Sequence, residues 1–133
     1  MTTGKATLVV DVANVVGSRP DGWWRDRRGA SERLLRRLGQ LPGSPVSGPD
    51  GTPLRLAEVH AVVEGAARDA EGPASVVVCR AAGPGDDEVV RAAERAAASG
   101  PVVVVTADRG LRARLPSGAV VAGPAWLLGL LTE

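Results

Sequence analysis

Residues 7–11, Thr7-Leu8-Val9-Val10-Asp11, decide the reading of the fold. Four residues of almost unbroken apolar and β-branched character run straight into a carboxylate. A strand with one wet face alternates apolar and polar side chains; this one does not, and continuous apolar character marks a parallel strand covered by helices on both sides. Ser75-Val76-Val77-Val78 and Val102-Val103-Val104-Val105 have the same character. Val59 to Val63 is a weaker strand candidate that could begin as helix, and Ala119-Val120-Val121 is a short fifth.

Helical patterns lie between these runs. Ser31 reads as an N-cap, followed by Glu32 and by Leu34, Leu35, Leu38 and Leu41 at three- and four-residue spacing. Residues 86–98 open with acids, repeat Val89, Val90, Ala93, Ala96 and Ala97 at helical intervals, and stop at Gly100-Pro101. Shorter helices are predicted over 111–115 and 125–131, with a single turn near 66–70. Strands alternating with helices predict a three-layer α/β/α sandwich with a short parallel sheet of about five strands. Residues 42–53 carry four Pro and three Gly, so this segment is either a surface hairpin or a flap.

The 133 residues are 44% apolar, with 16 Lys+Arg against 15 Asp+Glu. That length is enough for one domain, spanning residues 1–133, to fold without covalent staples. One Cys, Cys79, excludes an intrachain disulfide. With His60 the only histidine, there is no nitrogen and sulfur set for a soft metal, so any metal must be a hard cation on oxygen ligands. No apolar stretch is long enough to span a bilayer, and no secretory signal pattern follows Lys5, so the expectation is a cytoplasmic protein without membrane partners.

Acids stand where strands end. Asp11 follows Val10, Glu64 follows Val63, Asp86 and Asp87 follow the Val76 run after a Gly-Pro-Gly loop, and Asp108 follows Val105-Thr106. In an open parallel sheet the residues just past the carboxyl ends of adjacent strands converge on one crevice. Like charges about 4 Å apart repel by roughly 4 kcal/mol at an effective dielectric near 20, a cost that a divalent cation removes. Oxygen ligands without His point to Mg²⁺ or Mn²⁺. Each acid also has a plainer use. Asp86, Asp87 and Glu88 suit the first turn of a helix, and Asp108 suits an N-cap. Asp11 is harder to explain that way, because a carboxylate ending a buried central strand needs a partner.

Three motifs resemble the PIN-like nucleases, specifically the NYN branch. They are Leu8-Val9-Val10-Asp11-Val12-Ala13-Asn14-Val15-Val16, Gly85-Asp86-Asp87-Glu88-Val89-Val90 opening a helix, and Val104-Val105-Thr106-Ala107-Asp108-Arg109. Their order and spacing cover almost the whole chain. The resemblance implies a sheet in the order 3-2-1-4-5 and divalent-metal-dependent hydrolysis of RNA, single-stranded or structured. Carried over residue by residue, it gives Asp11, Asp87 and Asp108 as metal-holding acids, with Asn14 and Thr106 orienting water or carboxylate. It favours Asp87 over Asp86 because the family's acid directly precedes the position of Glu88. Many members end the second strand in Asp, where this chain has Glu64 followed by Gly65.

Arg19 to Arg37 contains seven arginines against Asp21, Asp26 and Glu32. Arg19, Arg25, Arg27 and Arg28, together with Arg109, are candidate phosphate contacts, since guanidinium pairs with phosphate bidentately and stacks on bases. Arg33, Arg36 and Arg37 equally suit the solvated face of a helix. Trp23 and Trp24 are candidates for base stacking, or for covering the core edge or a homodimer contact. Trp126, His60 and Cys79 read as packing residues. Two further functions compete with a ribonuclease: a catalytically inactive nucleic-acid-binding module of the same fold, and a metal-dependent nucleotide pyrophosphohydrolase.

Overall fold

A computed structural model describes residues 4–131. Strand β1 (Gly4–Asp11) leads into helix α1 (Val12–Gly17), then a 3₁₀ turn (Trp23–Arg25) and helix α2 (Arg27–Leu38). Strands β2 (Ser44–Ser47) and β3 (Pro53–Val63) form a hairpin, followed by a 3₁₀ turn (Gly65–Ala67) and strand β4 (Val77–Arg80). Helix α3 (Gly85–Ala97), strand β5 (Val102–Val105), helix α4 (Arg109–Arg112), strand β6 (Val120–Ala122) and helix α5 (Pro124–Leu130) complete the chain.

The five parallel strands lie in the order β4-β3-β1-β5-β6, which is 3-2-1-4-5 when they are counted alone. The sixth strand, β2, runs antiparallel to the first half of β3, on the edge whose second half carries β4. Residues 42–53 are therefore a hairpin. Its turn closes through Gly48 N–H to Thr52 O and through Thr52 N–H to the Asp50 carboxylate, and Gly51 supplies the left-handed backbone it needs (φ +87°).

The unbroken apolar runs do bury both faces where the strands are central. In β1, Leu8 and Val10 face a core built with Val12, Val15, Leu34, Leu35, Leu38 and Leu127, whereas Val9 faces a second core built with Val89, Ala92, Ala93 and Leu111. Strand β5 divides in the same way, Val103 and Val105 to one side and Val102 and Val104 to the other. Helices α1, α2 and α5 thus cover one face and α3 and α4 the other, giving the α/β sandwich.

Several local expectations are corrected. The run at 75–78 pairs two residues later, as Val77–Arg80 against His60–Val63, because Ser75 and Val76 are held in a turn by Val76 N–H to Pro73 O. As an edge strand β4 is only partly covered, with Val77 48% exposed. The weak candidate at 59–63 is the end of the longest strand, β3. Helix α2 begins one turn before Ser31, which lies buried inside it. Its cap is Asp26, whose carboxylate accepts from Gly29 N–H at 2.9 Å. A Cβ at residue 29 would overlap that carboxylate, so the Gly that looks like a breaker is what lets the cap close. Helix α4 starts at Arg109 because Asp108 caps it, and the expected turn near 66–70 is a 3₁₀ turn at Gly65–Ala67.

Asp26→Ala should therefore destabilise the fold by about 1 kcal/mol in urea titrations, the usual loss of an N-cap, while Ser31→Ala should not show that loss. The reverse ranking would move the helix start back to Ser31.

Candidate functional site

Parallel register brings the ends of four strands level: Asp11 pairs with Val62, Val10 with Val105, and Val63 with Arg80. Asp11, Glu64 and Thr106 consequently emerge at one edge of the sheet, beside the start of α3.

Asp11 is 6% exposed and serves as the N-cap of α1. Its Oδ1 accepts from Asn14 N–H at 3.3 Å and its Oδ2 from the Thr106 hydroxyl at 3.1 Å. Thr106 Oγ1 in turn accepts from Asp108 N–H at 3.2 Å, and Asn14 Oδ1 accepts from Ala107 N–H at 2.9 Å. The loop after β5 is thereby tied to the end of β1 and to α1. Burial pushes the Asp11 carboxyl up to about 6; the bonds from Thr106 and Asn14 oppose this, and the charges of Glu64 and Asp86 add to it. Glu64 is also raised, first by burial and then by the charge of Asp86, against a bond from Gly85 N–H. A Cβ at residue 85 would overlap the Glu64 carboxylate, so a side-chain-free residue at the start of α3 makes room for it.

The other sequence candidates are placed as follows. Asp86 is the member of the acidic pair that acts on Asp11 and Glu64, whereas Asp87 is bound by Arg114 at 2.6 Å. Asp108 is exposed and caps α4, accepting from Leu111 N–H at 3.0 Å, but its own N–H reaches Thr106. Arg109, in the first turn of α4, is exposed. Arg27 lies over the Trp23 ring at 5.3 Å and Arg25 over the 54% exposed Trp24 at 5.9 Å, the two rings meeting edge to face. Arg28 is paired with Glu32 along α2. A cavity of about 140 Å³ opens beside the acids, walled by Ala13, Val16, Trp23, Arg27, Ser31 and Glu64. Gly85, Ser31 and Arg114 were not singled out by sequence for these positions. Gly85 adjoins the acids and was legible in principle, but Arg114 stands 27 residues from Asp87 with no pattern linking them.

The donor set is made of hard carboxylate oxygens, the chemistry a Mg²⁺ or Mn²⁺ ion selects. Among the described residues, however, no three Asp, Glu, His or Cys side chains are grouped closely enough to hold a metal as they stand. Among the described residues no helix is long and apolar enough to cross a membrane.

Comparison of the chain with family models returns no match, and comparison with curated proteins returns none either. Among solved structures, the chain is similar to the crystal structure of a mutant of Rae1 (YacP) from Bacillus subtilis. The TM-score is 0.66 at 17% identity, over 95% of this chain and 74% of the other. The two share a fold.

The Asp11 shift has a signed consequence. Its folded pKa lies above the ordinary value of 3.8, so the native state gains from holding the proton; that gain is complete below about pH 4 and is lost as pH rises through about 6. At pH 7.5 the buried charge costs on the order of 2–3 kcal/mol. Asp11→Asn, which keeps an acceptor for Asn14 N–H, should raise stability by about that amount at pH 7.5 with EDTA present, and the difference should close as pH falls toward 4. A pH-independent difference in chemical denaturation would contradict the burial account.

Proposed function

We propose that the chain is a divalent-metal-dependent nuclease that hydrolyses RNA phosphodiester bonds at the crevice between the ends of β1 and β3 and the start of α3. The observation that carries the reading is the meeting of Asp11, which ends β1, with Glu64, which follows β3 and lies against Gly85 at the start of α3, and with Asp86, whose charge acts on both. Such an arrangement is unfavourable without a cation. The likeness of the three motifs to NYN nucleases supports RNA as the substrate.

Asp11, Glu64 and Asp86, with Asp108 alongside, would hold Mg²⁺ or Mn²⁺; a bound dication lowers the pKa of a water and stabilises charge on a phosphate under attack. The chain's own groups do the positioning. Thr106 donates to one Asp11 oxygen and Asn14 N–H to the other, so the carboxylate is fixed in one rotamer and its remaining lone pairs are directed by those bonds. Asn14 spends its side-chain carbonyl on Ala107 N–H, and its amide Nδ2 has no partner among the described residues, which suits it to donate to a water or a phosphate oxygen. Arg114 holds Asp87 to one side, so the role that the sequence motif gave Asp87 falls to Asp86 in this reading. The Trp23 and Arg27 wall of the adjoining cavity presents an aromatic and a cationic surface beside the acids, as a base and its phosphate require.

One observation favours a second reading, nucleic-acid binding without turnover: the acids are not grouped as a ready three-ligand set. Incubation with Mn²⁺ and single-stranded RNA separates the two. Cleavage that stops in EDTA and falls by well over about 100-fold in Asp11→Asn is the expected result. Binding of RNA without cleavage supports the second reading, and hydrolysis of a nucleoside triphosphate alone would replace both with a pyrophosphohydrolase.

Metal binding is checked apart from turnover. Saturating Mn²⁺, at about 100 times its dissociation constant, should stabilise the wild-type chain by about 2.7 kcal/mol and raise its melting temperature. Asp11→Asn combined with Glu64→Gln should abolish that rise. An equal rise in the double variant would remove these acids from the metal site.

A further inference from the structure

A second cavity lies away from the acids, toward the other end of α1. It encloses about 210 Å³ between α1, α2 and α5, with Val15, Leu34 and Leu128 among its apolar walls and with Arg19, Arg33 and Arg37 also lining it. Asp21 also lines it, but no ion pair within 4 Å ties it to any of the three among the described residues. Arg37 donates to Leu131 O at 2.6 Å, whereas Arg19 and Arg33 have no side-chain hydrogen bond or ion pair among the described residues. Several arginines elsewhere are paired, Arg28 with Glu32, Arg91 and Arg95 with Glu88, Arg114 with Asp87 and Arg80 with backbone carbonyls, whereas Arg36, Arg68, Arg109 and Arg112, like Arg19 and Arg33, have no side-chain hydrogen bond or ion pair among the described residues. Three arginines line one apolar-walled recess with a single acid that pairs with none of them among the described residues, so its lining carries a net positive charge that suits an anion. Arg33 is exposed, as the helical pattern expects, Arg37 is half-buried, and both line the recess with Arg19.

The geometry points to a phosphate-binding site in this cavity, taking a backbone phosphate and its sugar from a single-stranded RNA whose neighbouring nucleotides occupy the acidic crevice. The inference rests on the proposed nuclease reading for what lies in the crevice. Guanidinium is suited to phosphate because its planar fork donates two parallel bonds to one anion. The volume is below the roughly 300 Å³ at which pockets for whole drug-sized ligands begin, which fits one phosphate and the sugar that carries it. Continuity with the crevice comes from α1. Val16 lines both this cavity and the smaller one beside Glu64, Trp23 and Arg27. The helix has six residues and so spans about 9 Å. That is two to three nucleotides at the roughly 3.4 Å rise of a stacked strand. A strand leaving the acids past Trp23 therefore reaches Arg19 and Arg33 without leaving the surface of α1.

The test is binding of a fluorescein-labelled single-stranded oligoribonucleotide in EDTA, read by anisotropy over a range of salt. Arg19→Ala combined with Arg33→Ala should weaken binding at least tenfold and reduce the slope of log affinity against log salt by roughly 1 to 1.5. Arg55→Ala combined with Arg68→Ala removes two charges elsewhere and should change affinity less than twofold, which controls for net charge; circular dichroism checks that each variant is folded. Affinity and slope equal to wild type in the Arg19/Arg33 variant would overturn the site, even if Asp11→Asn has abolished cleavage and so upheld the nuclease reading. Equal losses in the two double variants would also overturn it, as a net-charge effect only. Conversely, an Arg19/Arg33-dependent affinity in a chain that cleaves no RNA upholds the site and sinks the nuclease reading. A nucleoside monophosphate that competes at the same concentration as the oligonucleotide would show that the cavity takes a free nucleotide, and would overturn the strand.

Discussion

Burying one carboxylate at the end of the most central strand is the constraint that organises this molecule. Asp11 ends β1, which is flanked by β3 and β5 and covered on both faces, so its charge has little access to water. Ionised, it must be served by fixed donors, and the fold supplies them from two directions. The N–H of Asn14 is available because α1 begins at the next residue, and the Thr106 hydroxyl is available because β5 lies beside β1 in a register that ends one residue short of it. Neither donor offsets the burial fully, and Glu64 and Asp86 make matters worse. The arrangement is strained in the electrostatic sense, and strain of this kind is tolerated where a ligand relieves it.

Much of the frame was legible because it depends on local chemistry. The unbroken β-branched runs at 7–10 and 102–105 could only be doubly covered strands, and their positions in the alternation with helices left few parallel topologies. What the residues did not disclose was anything decided across distance. The run at 75–78 has the same composition, yet its hydrogen-bonding partners are His60 to Val63, and those set the strand at 77–80 and leave it on an edge. Ser31 has the chemistry of a cap, but Asp26 has it too, and the presence of Gly29 three residues on decides between them.

At the acidic crevice the division is the same. Strand ends name Asp11, Glu64 and Thr106 directly, since a parallel sheet makes its carboxyl edge a common address. The choice between Asp86 and Asp87 belongs to a helix, where adjacent residues point about 100° apart, and to Arg114, which no spacing rule connects to either. A motif alignment favours Asp87, and in the structure that carboxylate pairs with Arg114 at 2.6 Å. Gly85 was visible as the residue opening the acidic motif, but its purpose appears only once the Glu64 carboxylate is seen against it.

A net charge of +1 conceals how unevenly the charges are placed along α1. Its first residue follows Asp11, with Glu64 and Asp86 nearby, and two residues past its end stands Arg19, with Arg33 and Arg37 across the cavity. Each end suits the helix that separates them, since acids favour the amino end and bases the carboxyl end. For a polyanion this matters more than the total. A nearly neutral chain gives little long-range attraction, and what there is fades within about 10 Å at ordinary salt. Capture must then come from close contacts, and the acids alone would repel a phosphate. In the proposed reading, a basic recess one short helix away would reverse that: it would hold the strand where attraction is available and leave the repulsive crevice to be crossed by the adjoining nucleotides only with a dication there to receive them.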